Sequence, residues 1–158
     1  MLRYLAAFGS ATVRDIQVWS GLVRLKDQIQ ELKPELRSFR DENGNELLDL
    51  PDAPLPPADA PAPVRFVPDY DSLVLSHMDR TRVIADEHRK RVFLSAARVR
   101  ATFRVDGFVS GAWKIEKTPR AVTLVIEPFE SLPKSDRDPL LEEKGEARPL
   151  RWGQRGGV

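Results

Sequence analysis

Hydrophobic and polar positions alternate most cleanly between residues 99 and 127. Val99, Ala101, Phe103 and Val105 alternate with Arg100, Thr102 and Arg104. Asp106-Gly107 then breaks the pattern with a dipeptide that favours a two-residue hairpin turn. Val109, Gly111, Trp113 and Ile115 alternate with Ser110, Lys114 and Glu116; residues 117–120 turn the chain again; Val122, Leu124 and Ile126 alternate with Thr123 and Glu127. Successive side chains of a strand point to opposite faces, so this stretch predicts a three-stranded antiparallel meander with one apolar face. Val64–Val67 and Leu73–Leu75 are short apolar runs that read as buried strands, and Asp86–Phe93 reads as a short helix or a basic loop.

The first fifty residues follow a helical period instead. Residues 2–8 are helix-compatible and stop at Gly9. Thr12 followed by Asp15 has the spacing of a capping box, opening a helix that runs to Trp19 and ends at Ser20-Gly21. Leu22, Leu25, Ile29 and Leu32 are spaced for a third helix, which Pro34 breaks. Leu36–Arg40 and Glu46–Leu50 then flank Asn43-Gly44, a hairpin signal. Three helices and a hairpin, in that order, are the order of a winged helix, whose third helix enters the DNA major groove. On that reading Arg24, Lys26, Gln28, Gln30 and Lys33 face DNA; the same pattern also fits a packing module with a solvated face.

Proline and charge place the boundaries. Six of the thirteen prolines fall between Pro51 and Pro63, and a residue with fixed φ and no N–H suits an extended, semi-rigid linker. The expected organisation is therefore a winged-helix unit at 1–50, a Pro-rich linker at 51–63, a β-rich unit at 64–133 and a poorly ordered tail at 134–158. Net charge is only +1, but it is segregated. Residues 41–60 carry six carboxylates and no Lys or Arg, whereas 88–104 carry Arg89, Lys90, Arg91, Arg98, Arg100 and Arg104 and no carboxylate. Any nucleic-acid binding must therefore come from charge placement.

Composition closes several routes. The absence of cysteine excludes a disulfide scaffold, a thiol nucleophile and thiolate metal sites. With His77 and His88 as the only imidazoles, a multi-histidine metal centre is excluded as well. No apolar run approaches the ~20 residues of a membrane helix, and the N-terminus is too quickly polar for a signal peptide. The expectation is a cytoplasmic protein without cofactor or metal. No glycine-rich phosphate loop or nucleophile elbow is present. His77 with Asp79 is a candidate acid–base pair, though such residues are more often structural hydrogen-bonders. Asp69 and Asp71 around Tyr70 fit many roles. Gln28 and Gln30, two apart on a helix, point about 200° away from each other and do not converge.

The run FVPDYDSLVLSHMDRTRVIADEHRKRVF, with VDGFVSGAWKIE and TLVIEPFESL after it, resembles the C-terminal part of winged-helix DNA-binding proteins of the AlkZ/YcaQ type. RYLAAFGSATVRDIQVWSGL resembles the middle winged helix of that family, and the similarity spans about residues 3–133. The resemblance implies an α+β fold: a winged helix of three helices and a hairpin wing, followed by an antiparallel β-rich, winged-helix/barrel-like unit. It implies duplex DNA as partner and a relation to monofunctional glycosylases that remove alkylated bases, including crosslinked ones. The glutamine–apolar–glutamine motif tied to catalysis lies in an N-terminal unit of that family, and this chain matches a short form that begins after it. Gln28-Ile29-Gln30 sits in the wrong segment to take its place.

His77, Asp79, Arg80 and Arg82 match the family's SHxDRxR segment and are expected near DNA, with Arg80, Arg82, Arg89, Lys90, Arg91, Arg100, Arg104, Arg24 and Lys26 as phosphate contacts on a shared concave surface. The foremost expectation is a DNA-binding module. Its rivals are an active glycosylase acting through His77 or Asp79, and an interaction fragment whose exposed surface is covered by a second copy or a partner.

Overall fold

The structure is a computed structural model and describes residues 1–95, 97–143 and 149–153. The chain folds as two compact units: residues 1–60 with 72–80, and residues 61–71 with 81–153 of the described chain. The expected boundary at 51–63 thus differs from the observed division in one respect: residues 72–80 return to the first unit. The proline-rich stretch itself holds no helix or strand.

In the first unit, α1 (Leu2–Phe8) ends at Gly9, whose φ of 75° suits glycine. The predicted capping box opens α2 (Val13–Ser20): Thr12 Oγ1 accepts from Asp15 N at 3.1 Å, and Asp15 Oδ2 accepts from Thr12 N at 2.9 Å. α3 (Lys26–Leu32) starts four residues later than the leucine spacing predicts. The reason is backbone: Arg24 sits at φ 59°, a left-handed conformation no right-handed helix continues through. A 3-10 turn at Lys33–Glu35 follows, then the hairpin β1 (Arg37–Arg40) and β2 (Glu46–Asp49).

The hairpin loop is wider than a two-residue turn. Asp41 organises it, accepting from Asn43 N at 2.9 Å and Asn45 N at 2.7 Å, with Gly44 at φ 79°. Between α1 and α2, Ala11 forms an isolated antiparallel bridge to Leu48, with N···O distances of 3.0 and 2.8 Å. Tyr4, Leu5, Ala11 and Ile16 form the buried core, with Phe8, Leu25, Leu36 and Leu50 packed against it.

Leu73–Leu75, expected as a strand, lies in α4 (Ser72–Leu75). Three apolar residues carry no readable period, and the Ser76 hydroxyl closes the turn by donating to the Leu73 carbonyl at 3.1 Å.

The second unit is built on a five-stranded sheet of order β3-β4-β5-β6-β7. The meander is present as β4 (Thr102–Val105), β5 (Phe108–Thr118) and β6 (Ala121–Pro128), joined at Asp106-Gly107 by a turn with φ of 48° and 81°. β3 (Arg65–Val67) pairs antiparallel with β4. The register shifts between Phe103 and Arg104, opposite Gly111 and Val109, and Thr102 and Phe103 are both buried. The bulge interrupts the alternation the sequence suggests.

Phe103 lies over Gly111, where a Cβ would collide with its ring. Val64, Phe103, Leu124, Ile126 and Leu140 form the buried cluster on this side. Asp86–Val92 is a helix, α5, rather than a loop.

The segment expected to be a poorly ordered tail contains α6 (Lys134–Glu143), which runs through Pro139, and β7 (Leu150–Trp152), parallel to β6. Leu140 is buried, and Leu150 and Trp152 pack on the same cluster, which is the physical reason α6 and β7 form. Of the final stretch Gly153–Val158, expected to be disordered, Gly153 N donates to the Ile126 carbonyl at 2.6 Å, and 154–158 lie outside the described residues.

Candidate nucleic-acid interface

The Ser76–Arg82 segment is divided between the units, and its members have different roles. His77 is buried at 3% exposure. The Tyr4 hydroxyl donates to the Ser76 carbonyl at 2.7 Å and lies 3.3 Å from His77 Nδ1, and the rings of Tyr4 and Phe8 meet the imidazole edge-on with centroids 6.4 Å away. This is a packed histidine of the first-unit core. Met78 N donates to Asp15 Oδ1 at 2.7 Å, so the carboxylate that caps α2 also anchors this segment. Arg80 Nε donates to the Val74 carbonyl at 3.1 Å across the end of α4. Asp79 is exposed, and its charge is felt at Asp41. Arg82, also exposed, closes the 3-10 turn Arg80–Arg82.

In the second unit, the cations of the basic run divide into engaged and open ones. Arg91 Nη1 donates to the Phe129 carbonyl at 2.9 Å, and its guanidinium lies 4.2 Å from the centroid of the Phe129 ring, a cation–π contact. Arg100 pairs with Glu127 and reaches the Arg91 carbonyl at 3.4 Å. Arg89 bonds Asp86 one helical turn back, at 3.1 Å. Arg104 faces Arg65 across the β3–β4 ladder, and its Nε is buried without a hydrogen-bond partner among the described residues.

Lys90 and Arg98 are exposed and have no side-chain partner among the described residues. The run therefore does not present one row of free cations: Arg91 and Arg100 serve the scaffold. In the first unit, Arg24 and Lys26 are exposed at the turn into α3, while Lys33 is tied to Glu46 at 2.8 Å.

A cleft of about 650 Å³ lies at the open side of β4 and β5, lined by Pro68, Asp69, Arg98, Arg100, Trp113 and Lys114 among others. Asp69 shapes it by accepting from Ala101 N at 2.6 Å, and Trp113 Nε1 donates to the Val67 carbonyl at 2.9 Å. Burial works to raise the Glu127 carboxyl. The hydrogen bond and charge of Arg100, together with Lys114, outweigh it and hold the group below the usual range. Glu116, hydrogen-bonded by Lys114 and Arg151, is lowered likewise. This network balances charge across β5 and β6, so among the described residues lining the cleft Arg98 is the cation left open.

Sequence reasoning gave Asp15 only a capping role, Asp69 no particular role and Glu127 only a polar strand position, and missed that they position these segments. Among the described residues, no helix is long and apolar enough to cross a membrane.

The chain is mixed α+β, with a helical unit bearing a hairpin and a sheet unit carrying a cleft that Arg98 and Asp69 line. A family model described as DNA glycosylase AlkZ-like matches residues 1–148, and the chain belongs to that AlkZ-like family. The solved structure of Streptomyces sahachiroi DNA glycosylase AlkZ is similar in fold, with a TM-score of 0.72 at 24% identity. The match covers 96% of this chain and 44% of that one, so this chain spans less than half the length of that relative. Among curated proteins, none matches.

Proposed function

We propose that this chain grips duplex DNA as a winged-helix member of the AlkZ-like glycosylase family, through phosphate contacts rather than base reading. The observation that carries this is the layout of the first unit. Three helices precede a hairpin, and Ala11, between the first two helices, forms an isolated antiparallel bridge to Leu48 of that hairpin. That order of helices and strands supports a winged helix, with α3 as the helix presented to the groove.

Arg24 and Lys26 lead into α3 and are open to solvent; in the second unit Lys90 and Arg98 are open as well. These four are the proposed contacts, while Arg91 and Arg100 hold the scaffold. The acidic hairpin loop, with Asp41 and Glu42, makes the wing a poor phosphate partner.

Base removal is not part of this reading. His77 is enclosed by aromatic rings, and Gln28 and Gln30 are exposed on either side of buried Ile29, so their amides diverge. The test is fluorescence anisotropy of a labelled duplex over a KCl series. Affinity should fall linearly in log–log form, with a slope of about 0.9 per neutralised phosphate. Replacing Lys26, Lys90 or Arg98 by Ala should each lower that slope by about one. Absence of binding at low salt overturns the proposal. Alkali-labile sites in alkylated duplex, lost on His77→Ala, would assign catalysis instead.

A further inference from the structure

Away from the cleft, two segments distant in sequence bring Glu87, His88 and Glu130 together. One ligand-capable atom from each lies within 4.8 Å of the others. His88 Nε2 is 3.3 Å from Glu130 Oε1. Two ligands of a tetrahedral zinc, with bonds near 2.0–2.1 Å, are separated by about 3.3 Å, so this pair already stands at a coordinating distance. Glu87 and Glu130 are exposed, so their side chains are free of packing that would stop them turning toward a common ion.

The imidazole is held in place. Its side chain is 15% exposed and its ring packs on Phe129 with centroids 5.0 Å apart. The cation beside Glu130 is occupied elsewhere: Arg91 is directed to the Phe129 ring and carbonyl. Among the described residues, the ion-pair partner of Glu130 is this histidine, and Glu87 has no ion pair.

We propose that Glu87, His88 and Glu130 bind a divalent first-row transition cation, zinc being the reference case. One borderline imidazole and two carboxylates suit zinc or cobalt better than calcium, which takes oxygen ligands in larger number. Three protein ligands leave room for water at the ion. The ion ties α5 to the loop after β6, adding a bond where Arg91 already crosses.

The test uses the full chain without a histidine tag, stripped by a chelator and titrated with zinc chloride. The chain holds two histidines, so ¹⁵N imidazole spectra give two sets of signals, with buried His77 as the internal reference. The expected result is saturation at one equivalent, with His88 Nε2 shifting and His77 unmoved. Glu130→Gln and Glu87→Gln, both at exposed positions, should each weaken zinc binding by about tenfold or more, and His88→Gln should abolish the shift. If His88 is unmoved in excess zinc, or if both Gln variants bind as tightly as the unaltered chain, the proposal fails. The cluster is then a His88–Glu130 contact and no metal site.

Discussion

Glu127 shows how one side chain links charge to stability. Its carboxyl is depressed below 4.5 in the folded chain by Arg100 and Lys114, against the opposing effect of burial. A group with a lowered folded pKa contributes stability that is fully present above its unfolded pKa and is lost as pH falls through the folded value. Denaturation followed from pH 7 downward should therefore show stability declining below about pH 4.5, and Glu127→Gln should flatten part of that decline. At pH 7 the same variant should lose about 1.5–3 kcal/mol, the range for a hydrogen bond to a charged group.

Asp15→Ala should cost about 1–3 kcal/mol, because it removes the α2 capping partner and leaves Met78 N–H without its acceptor. Faster amide exchange at Met78 is the specific sign. Gly111→Ala places a methyl against the Phe103 ring and 2.7 Å from the Glu127 carbonyl oxygen. Overpacking of this kind costs about 1–3 kcal/mol, read as a lower denaturation midpoint.

Among the elements, β7 carries the clearest prediction. Deleting residues 149–158 removes Leu150 and Trp152 from the cluster around Phe103 and Ile126 and opens the β6 edge. A loss of about 2–4 kcal/mol is expected from the apolar area alone, measured by thermal or chemical unfolding.

This strand also marks where the sequence stops being legible. The meander could be read because apolar residues alternate with polar ones within each of its runs, around Phe103, Trp113 and Ile126, and α2 because Thr12 and Asp15 carry capping chemistry. Leu150-Arg151-Trp152 is too short to show a period, and it becomes a strand only because β6 offers it a free edge. α3 was legible in its core residue Ile29 but not in its start, since nothing in Leu22–Leu25 announces the left-handed Arg24.

The candidate interface was legible to a similar degree. Residue types located the cations, but the sequence could not say that Phe129 and Glu127, far along the chain, would claim Arg91 and Arg100. Nor could it show that Tyr4 and Phe8 would enclose His77.

For the whole molecule, a net charge of +1 offers no bulk attraction to a polyanion, so the proposed duplex contact depends on a few placed cations. Combining Lys90→Ala with Arg98→Ala should lower the salt slope of duplex binding by about two while leaving the unfolding midpoint unchanged within experimental scatter. The order in which the chain visits its two units has a separate consequence. Residues 61–71 belong to the sheet unit, 72–80 to the helical one, and the chain then returns. No single cut yields both units whole: a break at 60 strands Ser76 and Met78 away from Tyr4 and Asp15, and a break at 80 removes β3 from the side of β4. Gene fission or domain shuffling at one joint would therefore deliver two damaged halves.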